Sequence, residues 1–143
     1  MAKQQINILA VENDILAMLE DVSGIDRIFR ETDSDDFDAD SVDEPVLLVQ
    51  NGGYKVKEAD GAGCYQSQQF FSIWVVSVVC KKEDALSKGS LVMMDMINRL
   101  KNSKAAGWRR PLRITTDVKD FARPSMSERV MMYPVFFSLE LVV

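Results

Sequence analysis

Three aspartates at alternate positions, Asp36, Asp38 and Asp40, could do chemistry together. Their spacing is that of the first, third and fifth ligands of a calcium loop of the EF-hand type, where carboxylates converge on one hard cation. The pattern then breaks. Ser41 stands where that loop needs glycine, and Leu47 where a bidentate glutamate must close it. The three aspartates therefore read as part of a solvated acidic stretch whose use is electrostatic docking. A second group lies in "GWRRPLR", where Arg109, Arg110 and Arg113 flank Trp108, with Lys101 and Lys104 close by. Guanidinium groups beside an indole suit phosphate contacts and base stacking. They suit equally the carboxylates of a neighbouring protein, or simple solvation after a helix. The glycines of "NGGY" and "DGAGC" lack the lysine and the following helix of a phosphate loop and read as turns.

The chain has no histidine. That removes Ser-His-Asp and Cys-His catalysis in their usual forms and the commonest zinc ligand. Cys64 and Cys80 are too few for an all-cysteine zinc site or a disulfide framework, and Cys80, ending an apolar run, reads as a buried free thiol. Carboxylate and magnesium chemistry, with Asp38 as a candidate, stays open as a minor alternative; the expectation is a non-enzymatic protein with no catalytic residue, metal or cofactor.

The formal net charge of −5 conceals two parts. "ETDSDDFDADSVDE", residues 31–44, carries eight acids and no base; without it, 17 basic residues face 14 acidic ones. The body is mildly basic, with one acidic insert that reads as a flexible loop. No apolar run reaches the roughly 20 residues of a membrane-spanning helix. The first residues turn polar and acidic too early for a signal peptide, so synthesis in the cytoplasm and no membrane partner are expected.

The length of 143 residues suits one domain, 1–143. Ile8, Val11, Ile15, Leu19 and Val22 recur at helical spacing, with Asn7 as cap and Ser23-Gly24 as stop. Pro45 opens a strand over 46–50, and Asn51-Gly52-Gly53 reads as a turn with a short return over 54–56. Residues 58–64 read as a loop tip, and a long strand follows to Cys80. A second helix starts at Asp84 as cap, with Leu86, Ser90, Met93, Met94, Ile97 and Leu100 as its apolar stripe. Gly89 in that helix suits a close approach to the sheet, where a Cβ would not fit. Gly107 reads as the stop, 111–118 as a strand and 119–127 as a loop. The closing strand has one wholly apolar face, Met131 to Val143 at alternate positions, and one mixed face. Pro134 within it requires an edge or a bulge. The predicted fold is α+β, a mixed or antiparallel sheet of about four strands with two main helices on one face.

"FFSIWVVSVVC", residues 70–80, is apolar at both parities. Phe71, Ile73, Val75 and Val79 point one way, and Phe70, Trp74, Val76 and Val78 the other. Two helices cover one face. The expectation is that they leave Phe70, Trp74, Val76, Val78 and Phe136 as a subunit interface. A fold-back of residues 51–64 is the alternative cover.

The element order, with "EPVLLVQNGGYKV", "QFFSIWVVSVVCKKEDA", "GSLVMMDMINRLKN", "GWRRPLRI" and the closing "YPVFFSLELVV", resembles the tail terminator proteins of long-tailed bacteriophages, including the Mu-type branch of small tail proteins. The resemblance implies a virion structural protein forming a ring, a hexamer, on the tail tube. Such a ring ends tube growth and presents a surface to the head connector or completion protein. It implies localisation in the virion tail after synthesis in the bacterial host. On this reading Asp36, Asp38, Asp40, Arg109, Arg110 and Arg113 are docking surfaces of opposite sign. The alternative is a nucleic-acid-binding accessory protein using Trp108, Arg109, Arg110 and Arg113.

Overall fold

The computed structural model describes residues 7–36, 38, 42–58, 68–115, 125–126 and 129–141. In chain order these form α1 (Ile8–Leu19), β1 (Ile28–Arg30), a 3-10 helix (Glu31–Asp36), β2 (Val46–Glu58) and β3 (Gln68–Lys81). A 3-10 turn (Lys82–Asp84) and a π-helical turn (Ala85–Gly89) lead into α2 (Ser90–Leu100). β4 (Arg113–Ile114), β5 (Ser125–Met126) and β6 (Val130–Leu141) complete the order. The three long strands lie side by side as β2-β3-β6, all antiparallel. β1 adds in parallel beyond β2, and β4 and β5 pair with the outer side of β6. The fold is α+β, with a mixed sheet and both helices on one face.

The faces are the reverse of the sequence expectation. Pairing brings Trp74 beside Phe137, Val76 beside Val135 and Val78 beside Tyr133, so one parity of β3 shares its face with the wholly apolar parity of β6. That face lies under the helices. Trp74, Val76 and Val78 have no exposed surface and join Val11, Ile15 and Leu19 of α1 and Val92, Met96 and Leu100 of α2 in one core. Each such side chain contributes roughly 1.5–3 kcal/mol when buried. Trp74, Val76 and Val78 are thus not subunit contacts but the centre of the chain's own core. Phe70 lies on the same side, half-buried and stacked on Tyr54 with ring centroids 5.1 Å apart. Phe136 is on the opposite face.

A smaller apolar cluster covers one end of that opposite face. Phe29, Val42, Val46, Leu48, Val79 and Val130 pack there, with the Arg27 guanidinium 4.4 Å above the Phe29 ring. The acidic stretch is therefore not wholly solvated: Val42 is buried, and residues 31–36 are helical. Farther along the face, Phe71, Ile73, Val75, Pro134 and Phe136 are half-buried. The region expected to fold over the sheet behaves differently in its described part. Asn51-Gly52-Gly53 is not a turn but a bulge within a continuous β2, where the register shifts. Gly53 takes φ +100, and its N–H donates to the Asn51 side-chain oxygen at 2.6 Å. The remainder of the expected loop tip, 59–64, lies outside the described residues, as do 116–124 of the later strand and loop.

Helix ends and phases follow local chemistry. Asn7 caps α1 as expected, its side chain accepting the Ala10 N–H at 2.8 Å, although Ile8 faces out. Asp84 makes no side-chain cap. The expected stripe of α2 is rotated: Val92, Met96 and Leu100 are buried, whereas Leu86 is 93% exposed and Met94 half exposed. Gly89 suits that phase, because it allows a close approach to the sheet. A Cβ there would stand 2.6 Å from the Cys80 sulfur. α2 ends at Leu100, before Gly107, with Asn102 in the left-handed region at φ 65. Pro134 sits in β6 without disturbing its pairing to β3. The carbonyls of Phe136 and Glu140 point outward, to the N–H groups of Thr115 and Arg109, and Pro134 shares their parity. Its nitrogen therefore faces the outer side, where described pairing to β4 and β5 stops short of it.

Burial raises the pKa of the Cys80 thiol, and the Asp84 carboxylate adds to the effect. Its neutral form is the one the fold holds against Gly89. Gly89→Ala should destabilise the protein by about 1–3 kcal/mol in urea titration through overpacking. Cys80→Ala introduced with it should recover much of that loss, a coupling that a double-mutant cycle measures.

Candidate functional site

The basic residues after α2 are held by an irregular edge running beside β6. Asn102 donates its N–H to the Leu112 carbonyl at 3.0 Å, and Leu112 donates to Ser103 at 2.8 Å. Trp108 bridges to Leu141, Arg109 donates its N–H to the Glu140 carbonyl at 2.8 Å, and Arg113 pairs with Ser138. From Arg109 to Arg113 the edge advances four residues while β6 advances two, so the segment between must loop out. Leu112 turns inward with no exposed surface, and Trp108 is 2% exposed. These two anchors leave Arg109, Arg110 and Arg113 exposed. Trp108 belongs to the core and has no ring face to offer a base.

The centre of this edge is Glu140, which the sequence reading did not select. It projects onto the face opposite the helices, beside Phe71, and is 2% exposed. Arg109 Nε stands 3.7 Å from Oε1, and Arg110 Nε 3.2 Å from Oε2. The Arg110 contact is an ion pair without hydrogen-bond geometry, since Oε2 accepts no hydrogen bond. Both guanidinium groups are half exposed. Glu140 could have been found as the single charged residue in the twelve of β6.

Around this carboxylate the sheet face forms a groove of about 430 Å³. Phe71, Ile73 and Ser138 form its floor, with Lys55, Arg110 and Arg113 among its walls. Among the described residues, Arg109 and Arg110 flank this carboxylate, and Arg113 and Lys55 line the same groove. Other described acidic residues make contacts of their own. Glu31 accepts the Asn51 N–H at 3.2 Å, and Asp33 accepts the Arg30 N–H at 3.0 Å. Asp43 pairs with Lys81 at 3.4 Å, and Glu44 with Lys88 at 3.2 Å. Asp36 ends the 3-10 helix, Asp38 is exposed, and Asp40 lies outside the described residues. Among the described residues no group of three or more His, Cys, Asp or Glu is placed to hold a metal, and no helix is long and apolar enough to cross a membrane.

Replacing both Arg109 and Arg110 by alanine should leave Glu140 buried and unpaired. A loss of about 2–4 kcal/mol is expected in chemical denaturation, below the full penalty for a deeply buried pair because both guanidinium groups touch water. Adding Glu140→Gln to that variant should restore most of the loss, because a neutral amide needs no counter-ion.

No family model and no curated protein matches the chain. Among solved structures that do match, one is 12% identical over 90% of this chain and 86% of its own, with a TM-score of 0.49. Its name describes no activity, and a likeness of that size carries no functional argument.

Proposed function

We propose that the chain is a virion structural protein of a long-tailed phage or prophage, a tail terminator or a closely related head–tail joining protein. It assembles into a ring, a hexamer, at the end of the tail tube, stops polymerisation there and presents the surface that the head connector or completion protein meets. The role needs no catalytic residue and no cofactor. The protein is made in the host cytoplasm and works in the virion tail.

The observation that carries this reading is the half-open second face of the sheet. Phe71, Ile73, Val75 and Phe136 form an apolar strip that neither α1 nor α2 covers. It adjoins the basic groove, and the acidic 3-10 helix stands beyond the other side of the sheet. An apolar strip bordered by charge is a surface suited to protein association. Subunit contact is therefore proposed for this strip, keeping Phe136 and replacing the core residues Trp74, Val76 and Val78. The resemblance of the sequence words to tail terminators supports the same reading.

Sedimentation velocity on the protein alone and with tail-tube ends supplied should show a ring-sized species, and electron microscopy should place it on the tube end. A protein that stays monomeric at high concentration with tube ends present overturns the proposal.

A second reading is binding to nucleic acid. Residues 99–113 hold six basic residues and no acidic one, and exposed arginines suit phosphates. The buried Trp108 leaves that reading without its stacking platform. If it holds, DNA or RNA retention should fall steeply with salt and weaken in Arg113→Gln; no binding at low salt removes it.

A further inference from the structure

Strand register divides the groove beside Glu140 into an apolar half and a cationic half. Opposed residues on neighbouring strands share a face. One row across the open face therefore reads Ile73 of β3, Ser138 of β6 and Arg113 of β4. The next row reads Phe71 and Glu140, with Arg110 against the Glu140 carboxylate at 3.2 Å. The apolar side chains stand on β3 and the guanidinium groups on the segment beyond β6, two strand spacings away, about 10 Å. Ser138 and Glu140 lie between them. All six residues line the groove of about 430 Å³. Small-molecule sites span roughly 300–1,000 Å³.

Glu140 prepares the cationic half. Its carboxylate is buried and holds Arg109 and Arg110 by charge, yet Oε2 accepts no hydrogen bond. The Arg110 guanidinium is thus kept in place while that oxygen consumes none of its N–H donors. Arg113, on the neighbouring row, is exposed, and no carboxylate among the described residues pairs with it. A guanidinium already tethered loses less freedom when a ligand binds. Two such groups side by side suit an oxyanion, carboxylate or phosphate, held by paired N–H donors.

We infer that this groove binds a small amphipathic anion. Arg110 and Arg113 hold its oxyanion, and a flat apolar body lies across Phe71 and Ile73. Phosphates of a nucleic acid backbone need only the arginines; the apolar half selects a ligand that carries such a body. The inference goes beyond the assembly reading and stands without it. Phe71 and Ile73 also belong to the strip proposed for subunit contact, so the ligand meets chains on which that strip is open.

The test uses the full chain with phenyl phosphate and benzoate as probes, and methyl phosphate and phenol as the separate halves of the first. At least one probe should bind saturably in isothermal titration, and the tighter of the two names the head group. Phenyl phosphate or benzoate should bind about tenfold or more tightly than either half, because only the whole probe meets both sides of the groove. Arg113→Gln, which spares the arginines around Glu140, should weaken the bound probe about tenfold. Circular dichroism checks that this variant folds. Two-dimensional NMR on the wild type needs no variant: the bound probe should shift the amides of Ile73, Ser138 and Arg113. No binding of either probe, shifts that leave those amides unmoved, or equal affinity in a folded Arg113→Gln overturns the inference. Equal affinity for methyl and phenyl phosphate, or an oligonucleotide that binds where neither probe does, assigns the arginines to phosphate alone and also overturns it. The oligomeric state, read by sedimentation on the same samples, bears on the assembly reading alone, so the two can fail separately.

Discussion

Trp74 lies at the middle of β3 with no exposed surface, packed with residues of both helices, and the registers of the long strands meet there. Its burial, together with its pairing to the wholly apolar parity of β6, goes with the face of the sheet that the helices cover. An indole is the largest apolar side chain available to this core, and leaving it exposed forfeits more than exposing any valine. Once Trp74 faces the helices, strict alternation takes Val76 and Val78 with it and sends Phe71, Ile73 and Val75 to the other side. The Trp74 indole N–H has no hydrogen-bond partner among the described residues, so apolar contact offsets the cost of burying it. The half-open strip on which a partner surface can form is thus a consequence of how the core is filled.

The same sheet separates charge. Basic residues follow α2 and line the β4 edge because Trp108 and Leu112 pin that segment to β6. Acidic residues follow β1 and remain at its end because the 3-10 helix is held by the N–H groups of Arg30 and Asn51. Glu140 is the exception, an acid carried into the basic edge by strand parity and matched there by two arginines. Its placement makes part of the basic cluster structural: Arg109 and Arg110 serve a buried carboxylate, whereas Arg113 faces outward. A run of three arginines in sequence therefore divides into two roles in the fold.

Local chemistry was readable before any tertiary contact was known. Asn7 caps α1, Pro45 precedes β2, and Gly89 permits close approach to Cys80, each for a reason within a few residues of itself. The Gly89 inference already contained the phase of α2, since a helix that nears the sheet at Gly89 presents Val92 and Met96 to it. Leu86 misled because hydrophobicity by itself does not fix phase in a helix that begins with a π-helical turn. Asn51-Gly52-Gly53 misled because a glycine with positive φ serves a bulge as readily as a turn.

Sequence by itself determined the two helices and the three long strands as elements, the apolar character of β3 on both parities, the split into an acidic insert and a basic body, and the lack of histidine chemistry. These depend on residue identity and short-range periodicity. Only the tertiary structure decided which parity of β3 meets the helices, since both are apolar and the choice rests on pairing with β6, some sixty residues away. It alone placed Trp108 in the core, Glu140 between two arginines, and opposite charges at opposite edges. Those outcomes follow from strand order and register, which arise from contacts between segments distant in the chain.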